Sequence, residues 1–374
     1  MKSFQAGVYI NQGYYRSFQP NLINREWQVD DMQLLSLLSQ ADRSLGRLDM
    51  YSEYVSIELF IRMLIAKEAT QSSKIEGTRT NMEDAFLEKK EVATEKREDW
   101  EEVQNYISAM NEAVKLLHTL PFSSRLIRQT HKVLLQGVRG KNRNPGEFRT
   151  SQNWIGGAST TDAVFIPPVH TSVPELMSDL EFFANDEMNH LPDLLKVAII
   201  HYQFETIHPF LDGNGRVGRL LITLYLVSKG ILKQPILYLS DFFERNRMLY
   251  YDNLMRVRTH HDLNQWLKFF LTGVIEISKK GVQTFDGILQ LQKNLESRKL
   301  THGIRSNGAR KVIESLYSQP VTDAARIGVI TGKSKATNYK LLENLEQLGI
   351  LKEITRAQRN KLYIFNDYLE LFKS

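Results

Sequence analysis

The chain has 374 residues with 48 Lys and Arg, 43 Asp and Glu, and no cysteine. This length predicts two or three domains, and a composition of 42% hydrophobic and 24% charged residues is typical of a globular protein rather than a disordered one. The absence of cysteine excludes disulfides, a thiol nucleophile and any cysteine-ligated metal site.

The hydropathy pattern does not predict insertion into a membrane. The first residues lack the apolar core of a secretory signal. The longest apolar stretch, 220–227, is far shorter than the ~18 residues that a membrane span needs. We therefore expect a soluble, cytoplasmic protein without a membrane partner.

The spacing of apolar residues predicts helices along most of the chain. The exceptions are a segment rich in both charge signs at 88–102, which we interpret as a solvated helix or connector, and a region around 150–168. Glycines and prolines there predict a hairpin with a short strand at 164–168. The clearest helices cover 59–73, 103–117, a stretch entered near Pro174, Pro192 to about Ile207, and Val217 to about Ser228.

The loop between the last two helices, HPFLDGNGRVGR at 208–219, has the most informative residue types. Gly213 and Gly215 allow backbone N–H groups to form an anion-binding nest at a helix N-terminus. Arg216 and Arg219 share one face of that helix and can hold phosphate oxygens. Asp212 is a hard oxygen ligand suited to Mg²⁺, and His208 is a natural general base. Together these residues predict a polyphosphate cradle with a metal ligand and a base, which is typical of phosphoryl or nucleotidyl transfer.

Other ligand motifs overlap this loop and are less consistent with it. Residues 213–218 match the dinucleotide pattern G-x-G-x-x-G, but a predicted helix rather than a strand precedes them. The segment 212–215 begins like a calcium loop, yet its twelfth position is Thr223, which is not a bidentate ligand. The alternative without a ligand-binding role, a glycine-rich turn with incidental charges, does not account for the spacing of the charged side chains.

The loop closely resembles the signature of Fic-domain proteins, His-Pro-Phe-x-(Asp/Glu)-Gly-Asn-Gly-Arg-x-x-Arg, and fills every defining position. The runs PGEFR at 145–149, WIG at 154–156, FIPP at 165–168 and VPELM at 173–177 agree with the family. The resemblance covers roughly residues 110–270. It implies an all-α fold, a helical bundle with one β-hairpin "flap".

The resemblance further implies a nucleotidyltransferase that moves AMP from Mg²⁺-bound ATP to a hydroxyl of a target protein, and in some cases to itself. Its catalytic base is His208 and its metal ligand Asp212. The flap at Phe165, Ile166 and Pro167 docks the target by strand addition. Intact loop glycines favour AMP transfer over the kinase activity of variants that lack them. The implied ATP-binding residues are Gly213, Asn214, Gly215, Arg216, Arg219, Tyr250 and Tyr251, although ordinary helix packing is an equal alternative for the two tyrosines.

A second run, SSKIEG at 72–77, matches the inhibitory pattern of the same family at Ser72, Glu76 and Gly77. This match implies that the Glu76 carboxylate pairs with Arg219 in the place of the ATP γ-phosphate. The alternative is a chance match at a helix end, where Gly77 simply terminates the helix. Removal of AMP by hydrolysis is also open, since a glutamate there could activate water.

The last fifth of the chain contains all of the excess positive charge, with 12 Lys and Arg against 7 Asp and Glu in 301–374. Its pattern, three helices at 309–317, 322–331 and 334–348, then two strand-like pieces joined by a basic hinge at 356–360, resembles a winged helix-turn-helix. We expect the outward side chains of the third helix to contact DNA; these candidates are Lys335, Thr337, Asn338 and Lys340. Docking of a protein or dimer formation is the alternative.

These patterns predict an N-terminal helical region with the inhibitory helix (1–109), a catalytic Fic domain (110–275), a helical linker (276–300) and a winged helix-turn-helix domain (301–374). We expect a homodimer. The leading hypothesis is a self-inhibited protein adenylyltransferase. The rival is a DNA-binding regulator whose Fic domain senses nucleotide or is vestigial.

Overall fold

The fold is described from a computed structural model, which covers residues 4–54, 57–137, 143–302, 307–355 and 360–373; side chains of 54 and 298–302 are not considered. The described part of the chain is mostly helical, as the sequence predicts. Its α-helices are α1 (Met32–Tyr54), α2 (Glu58–Ile75), α3 (Arg97–Leu116), α4 (Ser124–Leu134), α5 (Val173–Asn185), α6 (Asp193–Ile207), α7 (Asn214–Ser228), α8 (Ser240–Arg245), α9 (Arg247–His260), α10 (Leu263–His302), α11 (Asn307–Leu316), α12 (Ala324–Thr331), α13 (Lys335–Gln347) and α14 (Asn366–Lys373).

The strands are short and form two small antiparallel sheets in the described residues. An N-terminal hairpin pairs β1 (Gly7–Asn11) with β2 (Arg16–Pro20). Near the C-terminus, β3 (Val321–Thr322), β4 (Lys352–Glu353) and β5 (Tyr363–Ile364) form a three-stranded sheet in the order β3-β5-β4. The hairpin expected at 150–168 is reduced to one bridge between Ile155 and Phe165.

Helices α6 and α7 form the centre of the molecule. Every residue of α6 from Leu194 to Ile207 is buried, and α7 is buried from Arg216 to Leu226. Helices that are apolar on all sides belong in a core, and these two pack against each other. The loop that joins them is therefore held between two buried, rigid elements.

The N-terminal region surrounds this centre. Helix α1 packs along α10, while α2 packs on α3, α7 and α8. The C-terminal end of α2 reaches α7, where Glu76 is the capping residue and Gly77 has a φ of 102°. A left-handed backbone at this position favours glycine and ends the helix, so the carboxylate of Glu76 lies at the helix terminus.

The C-terminal unit consists of α11 to α14 and the three-stranded sheet, and its assignment as a winged helix-turn-helix stays a prediction. The Ser334 hydroxyl caps α13 by accepting a hydrogen bond from the backbone of Thr337, and Gly349 follows that helix with a φ of 67°. The basic hinge at 356–360 lies outside the described residues except for Asn360. The sequence analysis missed β3 and α14, which complete this unit and attach it to the rest of the chain.

One residue of the expected DNA-contacting face is not on the surface. Asn338 is 1% exposed, and its side chain bonds the hydroxyl of Thr331 and the backbone carbonyl of Lys333. The prediction that it points outward was wrong, because α13 turns this side toward α12 to satisfy the turn between them. Lys335, Thr337 and Lys340 are exposed.

All three expected domain boundaries fall inside helices. Position 109/110 lies within α3, and 275/276 and 300/301 both lie within α10, which runs for 40 residues. None of the helices in the described ranges is long and apolar enough to cross a membrane.

The C-terminal unit packs on the N-terminal end of α2. The ring of Phe60, fully buried, lies 5.6 Å from that of Tyr317 and 6.2 Å from that of Tyr368. Beyond α2, Arg326 pairs with Glu91 at 2.6 Å, and Lys373 pairs with Glu83 at 2.5 Å. These contacts attach α2, which precedes Glu76, to the C-terminal unit.

We expect Phe60→Ala to lower the free energy of unfolding by about 3–5 kcal/mol, because it leaves a cavity between two packed tyrosine rings. Chemical denaturation followed by circular dichroism measures the change. Phe182→Ala is the matched control, since Phe182 is 65% exposed and its removal leaves no cavity. An equally small effect of both substitutions would contradict this account of the interface.

Candidate active site

The loop between α6 and α7 begins with an unusual backbone conformation. His208 ends α6 with φ 50° and ψ 60°, in the left-handed region that non-glycine residues rarely adopt. The buried guanidinium of Arg149 donates to the carbonyls of His208 and Pro168, and the Asn153 amide donates to those of His208 and Phe210. These bonds satisfy the carbonyl groups at the end of α6 and keep the loop in its turn.

The side chains of Asn214 and His131 hold the rest of the loop. Asn214 bonds both the backbone N–H and the carbonyl of Phe210, at 2.9 and 2.8 Å. His131 accepts from the backbone of Gly146 through Nδ1, so its Nε2 donates to the Asp212 carbonyl at 3.0 Å. The His131 ring also stacks on Phe210 with centroids 3.7 Å apart. The side chain of Asn214 therefore holds the loop in place, and its backbone N–H lies at the N-terminus of α7, of which Asn214 is the first residue.

The expected phosphate-binding residues face one cavity of about 690 Å³. Gly213 has a φ of 75°, which turns the chain into α7 and leaves the first N–H groups of that helix without intrahelical partners. Those groups and the helix dipole favour an anion at this end of the cavity. The predicted residues that line it are Glu76, Gly77, His208, Asp212, Gly213, Asn214, Gly215, Arg216, Arg219, Tyr250 and Tyr251.

Arg219 joins α7 to the end of α2. Its guanidinium is 3% exposed and donates from Nε to the Ser72 hydroxyl at 2.9 Å and from Nη2 to the Ser72 carbonyl at 2.9 Å. The same Nη2 lies 2.6 Å from Oε1 of Glu76. The structure thus brings together the inhibitory pattern and the second arginine of the loop, which are more than 140 positions apart in the sequence.

Gly215 leaves room for this ion pair. A Cβ atom at position 215 would lie 2.4 Å from Oε1 of Glu76 and 2.9 Å from Nη1 of Arg219. Any other residue there would displace the carboxylate or the guanidinium. Gly215 is therefore required by the contact with Glu76 as well as by the approach of a ligand to the backbone.

The first arginine of the loop is also held by a carboxylate. Nη1 of Arg216 donates to Glu102 on α3 at 3.0 Å, and Nη2 lies 3.6 Å from the Asp212 carboxylate. The Arg216 side chain is buried to a similar degree as that of Arg219. Both cations of the cradle therefore have an acidic partner from the N-terminal region.

The electrostatics of the cavity set the ionisation of its main groups. Burial alone opposes the ionisation of Glu76, but the charge and hydrogen bond of Arg219 hold the pKa of this carboxyl below its ordinary value. Burial lowers the pKa of His208 to about 3, and the cations of Arg258 and Arg149 act in the same direction. The His208 imidazole is therefore neutral at pH 7. It is able to accept a proton.

A divalent ion fits this site only together with a phosphate ligand. No group of three or more His, Asp or Glu side chains in the described part of the chain could hold a metal by itself. Asp212 offers one carboxylate, 43% exposed toward the cavity, and its Oδ1 accepts from the backbone of Gly213. Magnesium is commonly bound by one or two carboxylates with phosphate oxygens and water, so this donor set suits Mg²⁺ on a polyphosphate.

The two tyrosines of α9 differ in their surroundings. Tyr250 is 1% exposed, its hydroxyl bonds Nε2 of His201 at 2.9 Å, and its ring stacks on Phe243. Most of its contacts are therefore those of a core residue. Tyr251 is 41% exposed at the rim of the cavity, and its ring is available to a ligand.

The predicted flap is partly covered by the N-terminal hairpin, which the sequence analysis missed. Phe165, Ile166 and Pro167 are buried, and the backbone N–H of Phe18 on β2 already donates to the Ile166 carbonyl at 2.9 Å. Docking of a target by these three residues stays a prediction. The exposed apolar residues of the flap are Val164 and Trp154, at 69% and 41%.

Sequence reasoning also missed several residues of the site. Arg149 was noted only as part of a run, and its contacts with the loop carbonyls could not be inferred from spacing. Glu102 lies on the charged segment that was interpreted as solvated. Glu205 lies one helical turn before His208, on the same face of α6, and this i to i+3 spacing was the available signal.

Comparisons with known proteins agree with this geometry. The N-terminal region of the Fic/DOC family matches residues 35–115, and the Fic/DOC family domain matches residues 121–226. The chain is similar to the protein adenylyltransferase Fic of Culex quinquefasciatus, with 34% identity over 125 residues, which are 33% of this chain and 22% of that protein. It is also similar to the protein adenylyltransferase fic-1 of Caenorhabditis briggsae, with 26% identity over 50% of this chain and 34% of that protein. The chain thus spans about a fifth to a third of the length of these relatives.

Solved structures share the fold. A Fic family protein from Desulfovibrio desulfuricans G20 superposes with a TM-score of 0.59 and 20% identity, over 91% of this chain and 98% of that one. Fic-1 from C. elegans superposes with a TM-score of 0.51 and 23% identity, over 69% of this chain and 75% of that one. At these identities the likeness shows the fold alone.

Proposed function

Because this chain belongs to the Fic family, we propose that it is a protein adenylyltransferase that moves AMP from Mg²⁺-bound ATP to a hydroxyl side chain of a protein. One observation carries the proposal: a neutral imidazole, two arginines and the N-terminus of a buried helix face the same cavity. The names of the relatives support the same activity.

The residues of the cavity divide the work of this transfer. The N–H groups at the start of α7 bind the phosphates, with Arg216 and Arg219 on the outer ones. His208 takes the proton of the incoming hydroxyl, whose oxygen attacks the α-phosphorus. The bond from that phosphorus to the oxygen shared with the β-phosphate breaks, and pyrophosphate leaves. Asp212 would hold Mg²⁺, which supplies charge neutralisation on the phosphates.

We propose further that Glu76 inhibits the transfer by occupying Arg219. The 2.6 Å ion pair and the bonds to Ser72 use the Nε and Nη2 groups that an outer phosphate would need. Departure of the carboxylate would leave a buried cation without its anion, which is costly unless another anion replaces it. A terminal phosphate in the place of Glu76 meets that requirement.

The acceptor is a protein segment that reaches the flap, and the chain itself is a candidate. The exposed side chains of Val164 and Trp154 support docking of a peptide at this side of the cavity. The N-terminal hairpin occupies the adjoining edge at Ile166. A target segment would therefore contact Val164 and Trp154 rather than the covered edge at Ile166.

The winged-helix unit is proposed to bind DNA through α13. Lys335, Thr337 and Lys340 lie on the exposed face of this helix, whose main packing contact in the described residues is with α12. The excess positive charge of 301–374 supports contacts with phosphates. A regulator without enzymatic activity is the alternative, and removal of AMP by hydrolysis is another; both are outcomes of the experiments below.

We expect Glu76→Gly to raise AMP incorporation by on the order of tenfold or more, since about 1.4 kcal/mol of released competition already gives a factor of ten. The measurement uses ATP labelled at the α-phosphate, with retained label and a mass increase of one AMP located by mass spectrometry. Glu187→Gly, at an exposed position, is the control. Equal incorporation by the Glu76 variant and the parent would remove the inhibitory role, and no incorporation by either would favour the regulator. Loss of AMP from prelabelled protein would point instead to hydrolysis.

We expect His208→Ala, in the Glu76→Gly background, to abolish transfer while ATP affinity stays nearly unchanged, because the imidazole acts on the hydroxyl rather than on the phosphates. Incorporation of label and calorimetric binding of ATP separate these two effects. His190→Ala, at an exposed position, should retain both. Full transfer without the imidazole would contradict the assignment of the base.

For the winged helix, Lys335→Ala with Lys340→Ala should weaken binding of duplex DNA and reduce the slope of log K against log salt concentration by about two, because two phosphate contacts are lost. Fluorescence anisotropy at several salt concentrations measures both quantities. The double variant Lys115→Ala with Lys279→Ala removes the same charge from other exposed positions. If both pairs weaken binding equally, α13 does not bind DNA.

A further inference from the structure

Glu205 is a buried carboxyl group on the inner wall of the cavity that the proposed reaction does not use. It lies on α6, one turn before His208, and is 6% exposed. Its Oε1 atom accepts no hydrogen bond from any described residue. A buried carboxyl with an unpaired oxygen is unfavourable when ionised, so its presence beside a ligand cavity needs an explanation.

The fold makes room for this carboxyl group at one position of α7. A Cβ atom at Gly218 would lie 2.3 Å from Oε1 of Glu205 and 3.1 Å from the ring of Phe204. Glycine inside a helix costs about 1 kcal/mol relative to alanine. Any side chain at position 218 would exclude the Glu205 carboxyl group from the cavity wall, which explains why glycine stands there despite this cost.

The groups that face Glu205 come from four elements. Arg219 on α7 and Arg258 on α9 attract its negative form, and Glu76 at the end of α2 repels it. Tyr250 and Tyr251 of α9 also interact with it, and His208 follows it on α6. Burial raises the pKa of Glu205 to about 7; Arg219 and Arg258 oppose this rise and Glu76 adds to it. Near neutral pH the group is therefore present in both protonation states.

We propose that Glu205 binds the terminal phosphate of a nucleoside triphosphate in its protonated form, as a hydrogen-bond donor, and that this binding takes up a proton from solvent. The inference rests on the proposed function, in which the terminal phosphate takes the place of the Glu76 carboxylate at Arg219. That phosphate brings more negative charge than the carboxylate it replaces. An ionised Glu205 would face it as a second anion, whereas a protonated Glu205 offers it an O–H donor.

The linkage has a definite sign. A ligand that prefers the protonated form binds less tightly as pH rises through the pKa of the free group. A nucleoside monophosphate lacks the terminal phosphate, so its binding should not depend on the protonation of Glu205. The proposal therefore separates triphosphate from monophosphate, which a purely structural role of Glu205 would not.

The experiment uses the full-length Glu76→Gly chain, in which Arg219 is available, and compares it with the same chain carrying Glu205→Gln. Calorimetric binding of Mg²⁺-bound ATP at pH 7 in two buffers of different ionisation enthalpy gives the number of protons taken up. We expect the parent to take up about half a proton or more beyond the Gln variant, since loss of Glu76 lowers the pKa of the free Glu205 from about 7 and the ionised fraction becomes protonated when ATP binds. AMP should show no difference between the two chains.

The outcomes separate this inference from the proposed function. Equal proton uptake by the two chains, with ATP still bound, would overturn the role of Glu205 and leave the proposed function intact. Failure of ATP to bind the Glu76→Gly chain at all would overturn the proposed function. Should Glu205→Gln not fold, the affinity of the Glu76→Gly chain alone decides: it must fall for ATP, but not for AMP, between pH 6 and 8.5, and a parallel pH profile for the two ligands refutes the proposal.

Discussion

The burial of the Arg219 guanidinium is the constraint on which the site depends. A cation that is 3% exposed needs an anion and filled hydrogen bonds, and α2 supplies both through Glu76 and Ser72. The guanidinium cannot simply be exposed, because α7 is buried from Arg216 onward. Whatever displaces the carboxylate must therefore be an anion of similar reach. Under the proposed function, the Glu76 carboxylate and a terminal phosphate would therefore exclude each other at Arg219.

The loop that precedes Arg219 is held in a strained form by neighbours far away in sequence. A left-handed backbone at a residue such as His208 costs about 1–3 kcal/mol and persists only where the surroundings compensate. Arg149 and Asn153 compensate by bonding the carbonyl of His208 itself. The cation of Arg149 also acts with burial to lower the pKa of the imidazole, which keeps it neutral. Arg149 therefore contributes both to the conformation of His208 and to the protonation state of its imidazole.

The sequence was sufficient for the parts of this structure that depend on local pattern. The boundaries of α6, the cap of α13 at Ser334 and the convergence of His208, Asp212 and both arginines on one helix start all follow from residue types at fixed spacing. The failures are long-range. Asn338 was expected outside because helical spacing does not reveal that the turn at Lys333 needs its amide. The N-terminal hairpin was missed because no residue near Phe165 indicates that Phe18, nearly 150 residues earlier, packs on it.

Glu205 and Glu102 show a different limit. Their type and position were visible, but a carboxylate on a helix is ordinarily solvated, and only the packed structure shows one buried behind Gly218 and the other holding Arg216. Sequence reasoning identifies groups that bind a ligand through a known pattern. It does not identify groups that act on those residues electrostatically, because such groups lie on other helices.

Helix α2 connects the C-terminal unit to the ion pair of Glu76 and Arg219. Helix α2 has 18 residues, so it is about 27 Å long, and its two ends contact different parts of the molecule. Phe60 at the first end packs between Tyr317 and Tyr368, while Glu76 at the other reaches Arg219. The segment after α2 is tied to the same unit through Glu83 and Glu91. Because a packed helix moves as a rigid body, a movement of the C-terminal unit against the first end of α2 would also move the Glu76 carboxylate at the other end. A movement of α13 alone would not.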